Sequence, residues 1–196
     1  MFFDLGGVVV TDLFPLMDSY LSGISGVQFQ KVKVIRNQYW PDYELGRMTG
    51  IEFFRRQLAD LGSGLGPEEV MAKSLEVVKV KEDVLSIVKR LRASGNYGMG
   101  VISNNSDEWA EHLEKTLGLG QYFDAWIISS HHHIKKPDKE IYLLAAEKLG
   151  LNAGDCIFID NKLRNVQGAE AAGMTAIHFK DAEQLEAELK RLGLDF

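Results

Sequence analysis

Asp4 stands between two apolar runs, Met1-Phe-Phe3 and Val8-Val-Val10, with Gly6 and Gly7 beside it. That order reads as a buried strand whose end presents a carboxylate, followed by a tight glycine loop. In open α/β sheets ligands bind outside the carboxyl ends of the strands. Two glycines let backbone amides approach an anion with no side chain in the way. A carboxylate aimed at an anion-binding loop is repulsive unless a cation or a covalent step intervenes. Asp4 is therefore a candidate nucleophile or metal ligand; the alternative is an Asp that only caps a turn. Two more strand ends carry polar groups, Ser103 after Val101-Ile102 and Asp160 after Phe158-Ile159, and the pair Lys135-Lys136 follows another predicted strand. Parallel strands present their carboxyl ends on one edge, so these groups can converge. Two carboxylates alone repel. With Mg²⁺ and a phosphate they balance, because Mg²⁺ takes oxygen ligands and favours one or two carboxylates plus substrate phosphate.

The elements that must bring these residues together follow from punctuation and periodicity. Residues 82–94 read as an amphipathic helix ending at Gly95, 97–102 as a strand, and 106–117 as a helix stopped by Gly118. A strand at 124–128 precedes a helix opened by Pro137 and running to Gly150; Cys156–Ile159 is a strand that ends at Asp160. Residues 162–172 are helical, 174–178 a strand and 182–192 a final helix. Strands alternating with helices mean a parallel sheet covered on both faces. Residues 12–79 read as helical throughout, with Thr49-Gly-Ile-Glu52 as a capping box and Pro67 at the first turn of a helix. An α/β core thus comprises residues 1–11 and 80–196, and 12–79 is a helical insertion. Only three residues precede Asp4, so the first strand is short or some of it is missing.

Composition narrows the class. The chain has 196 residues, 45% apolar and 26% charged, as in ordinary globular proteins. A net charge of −6 argues against nucleic-acid binding, which needs a basic face. Cys156 is the sole cysteine, which excludes an internal disulfide and fits a reducing compartment; in its apolar strand it reads as an inert buried thiol. No apolar run approaches membrane-spanning length, and the expected location is cytoplasmic.

Four stretches carry a resemblance: Asp4-Leu-Gly-Gly-Val-Val-Val10, Val101-Ile-Ser103-Asn-Asn105, Lys136-Pro-Asp-Lys-Glu-Ile-Tyr142, and Phe158-Ile-Asp160-Asn-Lys-Leu-Arg-Asn165-Val-Gln-Gly-Ala169. In this order they resemble the four motifs of the haloacid dehalogenase-like hydrolase superfamily. The resemblance implies a Rossmann-like parallel sheet core with an inserted α-helical cap at 12–79. It implies that Asp4 attacks phosphorus and becomes an aspartyl-phosphate. Asp4, the Gly6 carbonyl and Asp160 would hold Mg²⁺; Ser103, Asn104 and Lys136 would bind phosphoryl oxygens; amides near Gly6 and Gly7 would complete the cradle. The partner implied is a small phosphorylated metabolite, with no nucleic acid or membrane, and the chain itself is expected to be a monomer or homodimer.

Two departures from the pattern matter. The phosphatase motif normally places a second Asp, the general acid/base, two residues after the first, where this chain has Gly6. The fourth motif often has paired acids, and here the second is Asn161. A phosphatase with this site should favour good leaving groups, anomeric sugar phosphates among them, that need little protonation. Asp12 is a candidate stand-in acid. A 2-haloacid dehalogenase, in which Asp4 attacks carbon without a metal, and a degenerate member kept as a binding module are the competing readings. His131-His-His133 invites a metal reading, against a structural or substrate-edge role. Trp40, Asp42, Tyr43, Glu44 and Arg47 form either the cap's specificity surface or its core with solvated charges.

Overall fold

The computed structural model describes all residues 1–196. Five strands, β1 (Phe2–Phe3), β2 (Gly100–Ser103), β3 (Ala125–Ile128), β4 (Ile157–Asp160) and β5 (Thr175–His178), form one parallel sheet in the order β3-β2-β1-β4-β5. Phe3 lies beside Val101 of β2 and Ile159 of β4. Asp4, one residue further, therefore emerges level with the ends of both neighbours. The chain builds outward from β1 through β2 to β3, then crosses to β4 and β5 on the other side. The order reverses beside β1, the point at which such sheets bind ligands.

Ten helices surround the sheet. Between Thr11 and Val80 lie α1 (Leu13–Ser25), α2 (Phe29–Tyr43), α3 (Gly50–Leu61) and α4 (Pro67–Val77), with no named strand among them. Then follow α5 (Glu82–Ser94), α6 (Asp107–Glu111) continuing as a π-helical turn over His112–Thr116, α7 (Ser129–His132), α8 (Lys139–Lys148), α9 (Leu163–Ala171) and α10 (Ala182–Arg191). Alternation along β1 decides the two faces. Phe2 joins Ile102, Phe158, Ile141 and Tyr142 under α8 and α9. Phe3 joins Val101, Ile159 and Ile177 beneath α5 and α10. That second cluster continues through Val8 and Val10 to Met17, Tyr43, Phe53 and Leu58, so the helical segment shares its apolar core with the sheet. The segment leaves and returns at one place: Val10 and Val80 pair antiparallel, Thr11 N donates to Lys79 O at 2.8 Å, and Lys81 N donates to Val9 O at 2.9 Å.

Three local expectations are corrected. Pro137 does not open α8. It follows a cis peptide bond, inside a turn closed by Asp138 N donating to Lys135 O at 2.8 Å, and the helix starts at Lys139. The capping box is half formed: Thr49 Oγ1 accepts from Glu52 N at 3.3 Å, but Glu52 pairs with Arg55 and Arg56 instead of reaching back. β2 begins at Gly100 rather than residue 97, because Tyr97 has turned to the C-terminal segment, where its hydroxyl accepts from Asp195 N at 3.0 Å.

Candidate active site

Lys136 organises the site. It follows β3 in the chain, yet its side chain runs under the ends of β1, β2 and β4 and is 2% exposed. Nζ donates to Asp4 Oδ1 at 2.8 Å, Asp160 Oδ2 at 2.7 Å and the Ile102 carbonyl at 2.8 Å. An ammonium has three N–H groups, and all three are used. Asn104 fixes the lysine's backbone from β2: its Oδ1 accepts from Lys136 N at 2.8 Å and its Nδ2 donates to Lys136 O at 3.0 Å. Asp160 also accepts from Lys162 N at 2.7 Å and Asn165 Nδ2 at 2.9 Å. The lysine is thus a buried strut between two carboxylates that would otherwise repel.

Burial alone would lower the Lys136 ammonium, but Asp4 and Asp160 outweigh it and hold it charged above the ordinary lysine range. At Asp4 burial is the strongest influence and raises the carboxyl; Lys136 opposes it and the Asp160 charge adds to it, leaving the group above the ordinary aspartate range. A further cation beside Asp4 would offset that burial and favour the ionised form.

Above this strut opens a cavity of about 550 Å³, open mouth included. Asp4, Gly6, Ser103, Asn104 and Lys136 line it and Lys162 adds a second cation, whereas Gly7 and the fully buried Asp160 are not in its lining. The reading of the sequence passed over Lys162. Its signal was its place two residues beyond a strand-end aspartate, where a chain leaving the sheet is still at the catalytic edge. The two glycines differ. Gly6 borders the cavity, with no atom within 4 Å of where a Cβ would stand. Gly7 has φ +86°, and a Cβ there would lie 2.1 Å from Asn161 Nδ2, so glycine is required twice over. The Gly7 amide donates to Val10 O at 2.8 Å inside the loop, and it is therefore not available to an anion.

The residues present suit a hard divalent cation. Asp4 and Asp160 supply carboxylates, and Asn165, which lines the cavity, has a buried Oδ1 with no hydrogen-bond donor. Oxygen acceptors left without donors in a charged site are what Mg²⁺ satisfies. The formal charges of Asp4, Asp160, Lys136 and Lys162 cancel, so a phosphate dianion brings the floor to −2, which one Mg²⁺ restores to zero.

Other candidates separate. The three histidines diverge: His131 Nε2 lies 3.4 Å from Asp107 Oδ1, and His133 Nδ1 bonds Leu45 O at 2.8 Å. No group of three or more His, Cys, Asp or Glu side chains is arranged to hold a metal ion. Trp40 lines the cavity, whereas Tyr43 is buried against Phe53 at a ring distance of 4.4 Å. Asp42 and Arg47 form an exposed pair. Glu44 is buried, accepting from Trp40 Nε1 at 2.8 Å and Lys135 Nζ at 2.5 Å. Asp12 borders the cavity but spends Oδ1 capping α1, where it accepts from Phe14 N at 3.2 Å. Cys156 is 1% exposed, and burial pushes its thiol up, away from reactivity.

Residues 1–173 match the family model of haloacid dehalogenase-like hydrolases. Over 195 residues the chain is 26% identical to the sesquiterpene phosphatase astK of Aspergillus oryzae, covering 97% of this chain and 94% of that one. Among solved structures, it is similar to a HAD-family enzyme of Bacteroides thetaiotaomicron in complex with magnesium and inorganic phosphate. There the TM-score is 0.72 at 19% identity, over 94% of this chain and 96% of that one. It is also similar to the L-2-haloacid dehalogenase of Xanthobacter autotrophicus, with a TM-score of 0.68 at 20% identity over 96% and 81% of the two chains. At such identities the structural likeness speaks for the fold.

Proposed function

Because the chain belongs to the haloacid dehalogenase-like hydrolases, we propose that it hydrolyses small phosphomonoesters through an aspartyl-phosphate on Asp4. The observation that carries this reading is Lys136 bridging Asp4 and Asp160 at the bottom of a cavity whose floor holds a second lysine. A phosphoryl group needs that concentration of cations, and a neutral carbon–halogen bond does not. The relative named a phosphatase, aligned along nearly its whole length, supports the same chemistry.

Lys136 holds Oδ1 of Asp4, and Oδ2 has no protein donor, so Oδ2 is the attacking oxygen. It forms a bond to phosphorus as the bond from phosphorus to the alcohol oxygen breaks. The alcohol leaves with a proton taken from water. Water then attacks the aspartyl-phosphate, phosphate departs and the Asp4 carboxylate is restored. Ser103 and Lys162 hold the phosphoryl oxygens, while Lys136, its three N–H groups already spent, places positive charge beneath them. Asn104 keeps Lys136 in place, and residues 12–79 act as the cap that encloses the reaction. Asp4, the Gly6 carbonyl and Asp160 would hold Mg²⁺, which when bound would supply electrophilic charge to the transferring group.

Phosphate release from a panel of phosphomonoesters, with and without Mg²⁺, tests this for the wild type and Asp4→Asn. The expected result is Mg²⁺-dependent release that Asp4→Asn abolishes while the circular dichroism spectrum is unchanged. Release that survives Asp4→Asn, or halide release from 2-haloacids without phosphatase activity, would overturn it.

A further inference from the structure

The cavity has two unlike halves. Its floor is polar, and beyond it the wall comes from Leu13 and Phe14 of α1, Trp40 of α2, Val78, and Trp109 and Leu113 of the core. Polar groups on this side are few, and most are partly engaged; the Thr11 hydroxyl hydrogen, one Asp12 oxygen and the Asn105 amide nitrogen are what remains. Thr11 Oγ1 accepts from Lys79 N at 3.0 Å, and the Trp40 indole donates to Glu44. Asp12 has committed one oxygen to the end of α1. A sugar bound here would surrender its hydration and find little in exchange, at a cost for each unpaired hydroxyl.

The apolar wall is also held rigidly. The Arg36 guanidinium lies 4.0 Å from the Phe14 ring centroid, and its Nε and Nη2 are gripped by the buried Asp18 at 2.9 and 3.1 Å. Trp40 meets Phe14 edge-on at 4.5 Å. An aromatic wall fixed in this way favours a hydrocarbon surface without paying to order itself.

We propose that the alcohol carried by the phosphomonoester is a hydrocarbon one and not a sugar. This rests on the phosphomonoester reading above, and it replaces the anomeric sugar phosphate suggested by the absent acid at Gly6. Phosphonates, whose carbon–phosphorus bond the enzyme does not cleave, separate recognition from turnover. Calorimetric titration of the wild-type protein in Mg²⁺ would compare naphthylmethylphosphonate, methylphosphonate, a glucose-derived phosphonate and naphthylmethanol. The expected result is naphthylmethylphosphonate binding at least about tenfold more tightly than methylphosphonate, a factor that roughly two buried methylene groups supply. Leu13→Ser and Phe14→Ser should each shrink that ratio and leave methylphosphonate binding unchanged. A glucose phosphonate that binds as tightly as the naphthyl compound overturns the proposal and leaves the phosphatase standing. If naphthylmethanol binds and no phosphonate does, the phosphomonoester reading falls and the hydrocarbon preference stands. If neither binds, the hydrocarbon preference falls as well.

Discussion

Lys136 shows how much one side chain decides here. Removing its ammonium leaves Asp4 and Asp160 facing each other inside the protein. Breaking a buried pair by removing one partner costs about 3–5 kcal/mol. Lys136→Met is therefore expected to lower stability by about that much in urea unfolding, besides abolishing phosphate release; an unchanged midpoint would mean that solvent reaches the pair. Gly6 offers the opposite experiment. It borders the cavity in open space and its φ is not left-handed, so Gly6→Asp fits without strain. The new carboxylic acid would stand where a proton could pass to the leaving oxygen. Turnover of alkyl phosphates with poor leaving groups is expected to rise about a hundredfold, the lower end of what a positioned acid contributes, and aryl phosphates should change little. A steep leaving-group dependence that persists in Gly6→Asp would show that proton donation is not what limits the wild type.

At the scale of elements, Asp18 and Arg36 lock α1 to α2, and under the proposal above the two helices act as one specificity unit. The pair is buried and bidentate, so Asp18→Ala strands a guanidinium and is expected to cost about 3–5 kcal/mol. Phe14 then loses its backing, and the preference for hydrocarbon ligands should weaken before the fold is lost, read as binding at temperatures well below the unfolding transition. The chain of contacts does not stop there. Trp40 reaches Glu44, Glu44 reaches Lys135, and Lys135 precedes the lysine that bridges the carboxylates. Ser129 Oγ also donates to the Glu44 carbonyl, and the Glu108 carboxylate accepts from Gly50 N at 2.7 Å. The helical segment is thus seated on the catalytic edge through the C-terminal end of α2. Its helical character is legible from the Thr49-Gly-Ile-Glu52 cap and from Pro67 at a first turn. Which of Trp40, Tyr43 and Glu44 faces the cavity is not, because all three share two turns of helix and only packing separates them.

On the scale of the whole molecule, α5 and α10 close the face of the sheet that carries Phe3, and an ion pair ties them. Arg90 donates to both oxygens of Glu186, at 3.0 and 2.6 Å, and Lys190 lies 2.7 Å from it. Arg90 first, then Lys190, holds the Glu186 carboxyl down at about 2, below the ordinary glutamate value. A depressed carboxyl stabilises the fold above the ordinary range, and that contribution disappears as pH falls toward about 2. Thermal unfolding of Glu186→Gln should therefore fall below wild type near neutrality and converge with it in acid. The gap should be small and narrow with salt, since the pair is half-exposed at the surface. The chain by itself determined the alternation of strands and helices, the parallel sheet, and the convergence of Asp4, Ser103, Lys136 and Asp160. Those follow from local periodicity and from the rule that parallel strands share a carboxyl edge. Tertiary structure alone decided that the Gly7 amide is used within its own loop, that Pro137 sits in a turn ahead of α8, that Lys162 faces the site, and that the cavity wall is hydrocarbon. The first two are turns closed over three residues, whose backbone path residue types alone leave open; the last two depend on residues far apart in sequence meeting at one cavity, and no spacing along one chain encodes that.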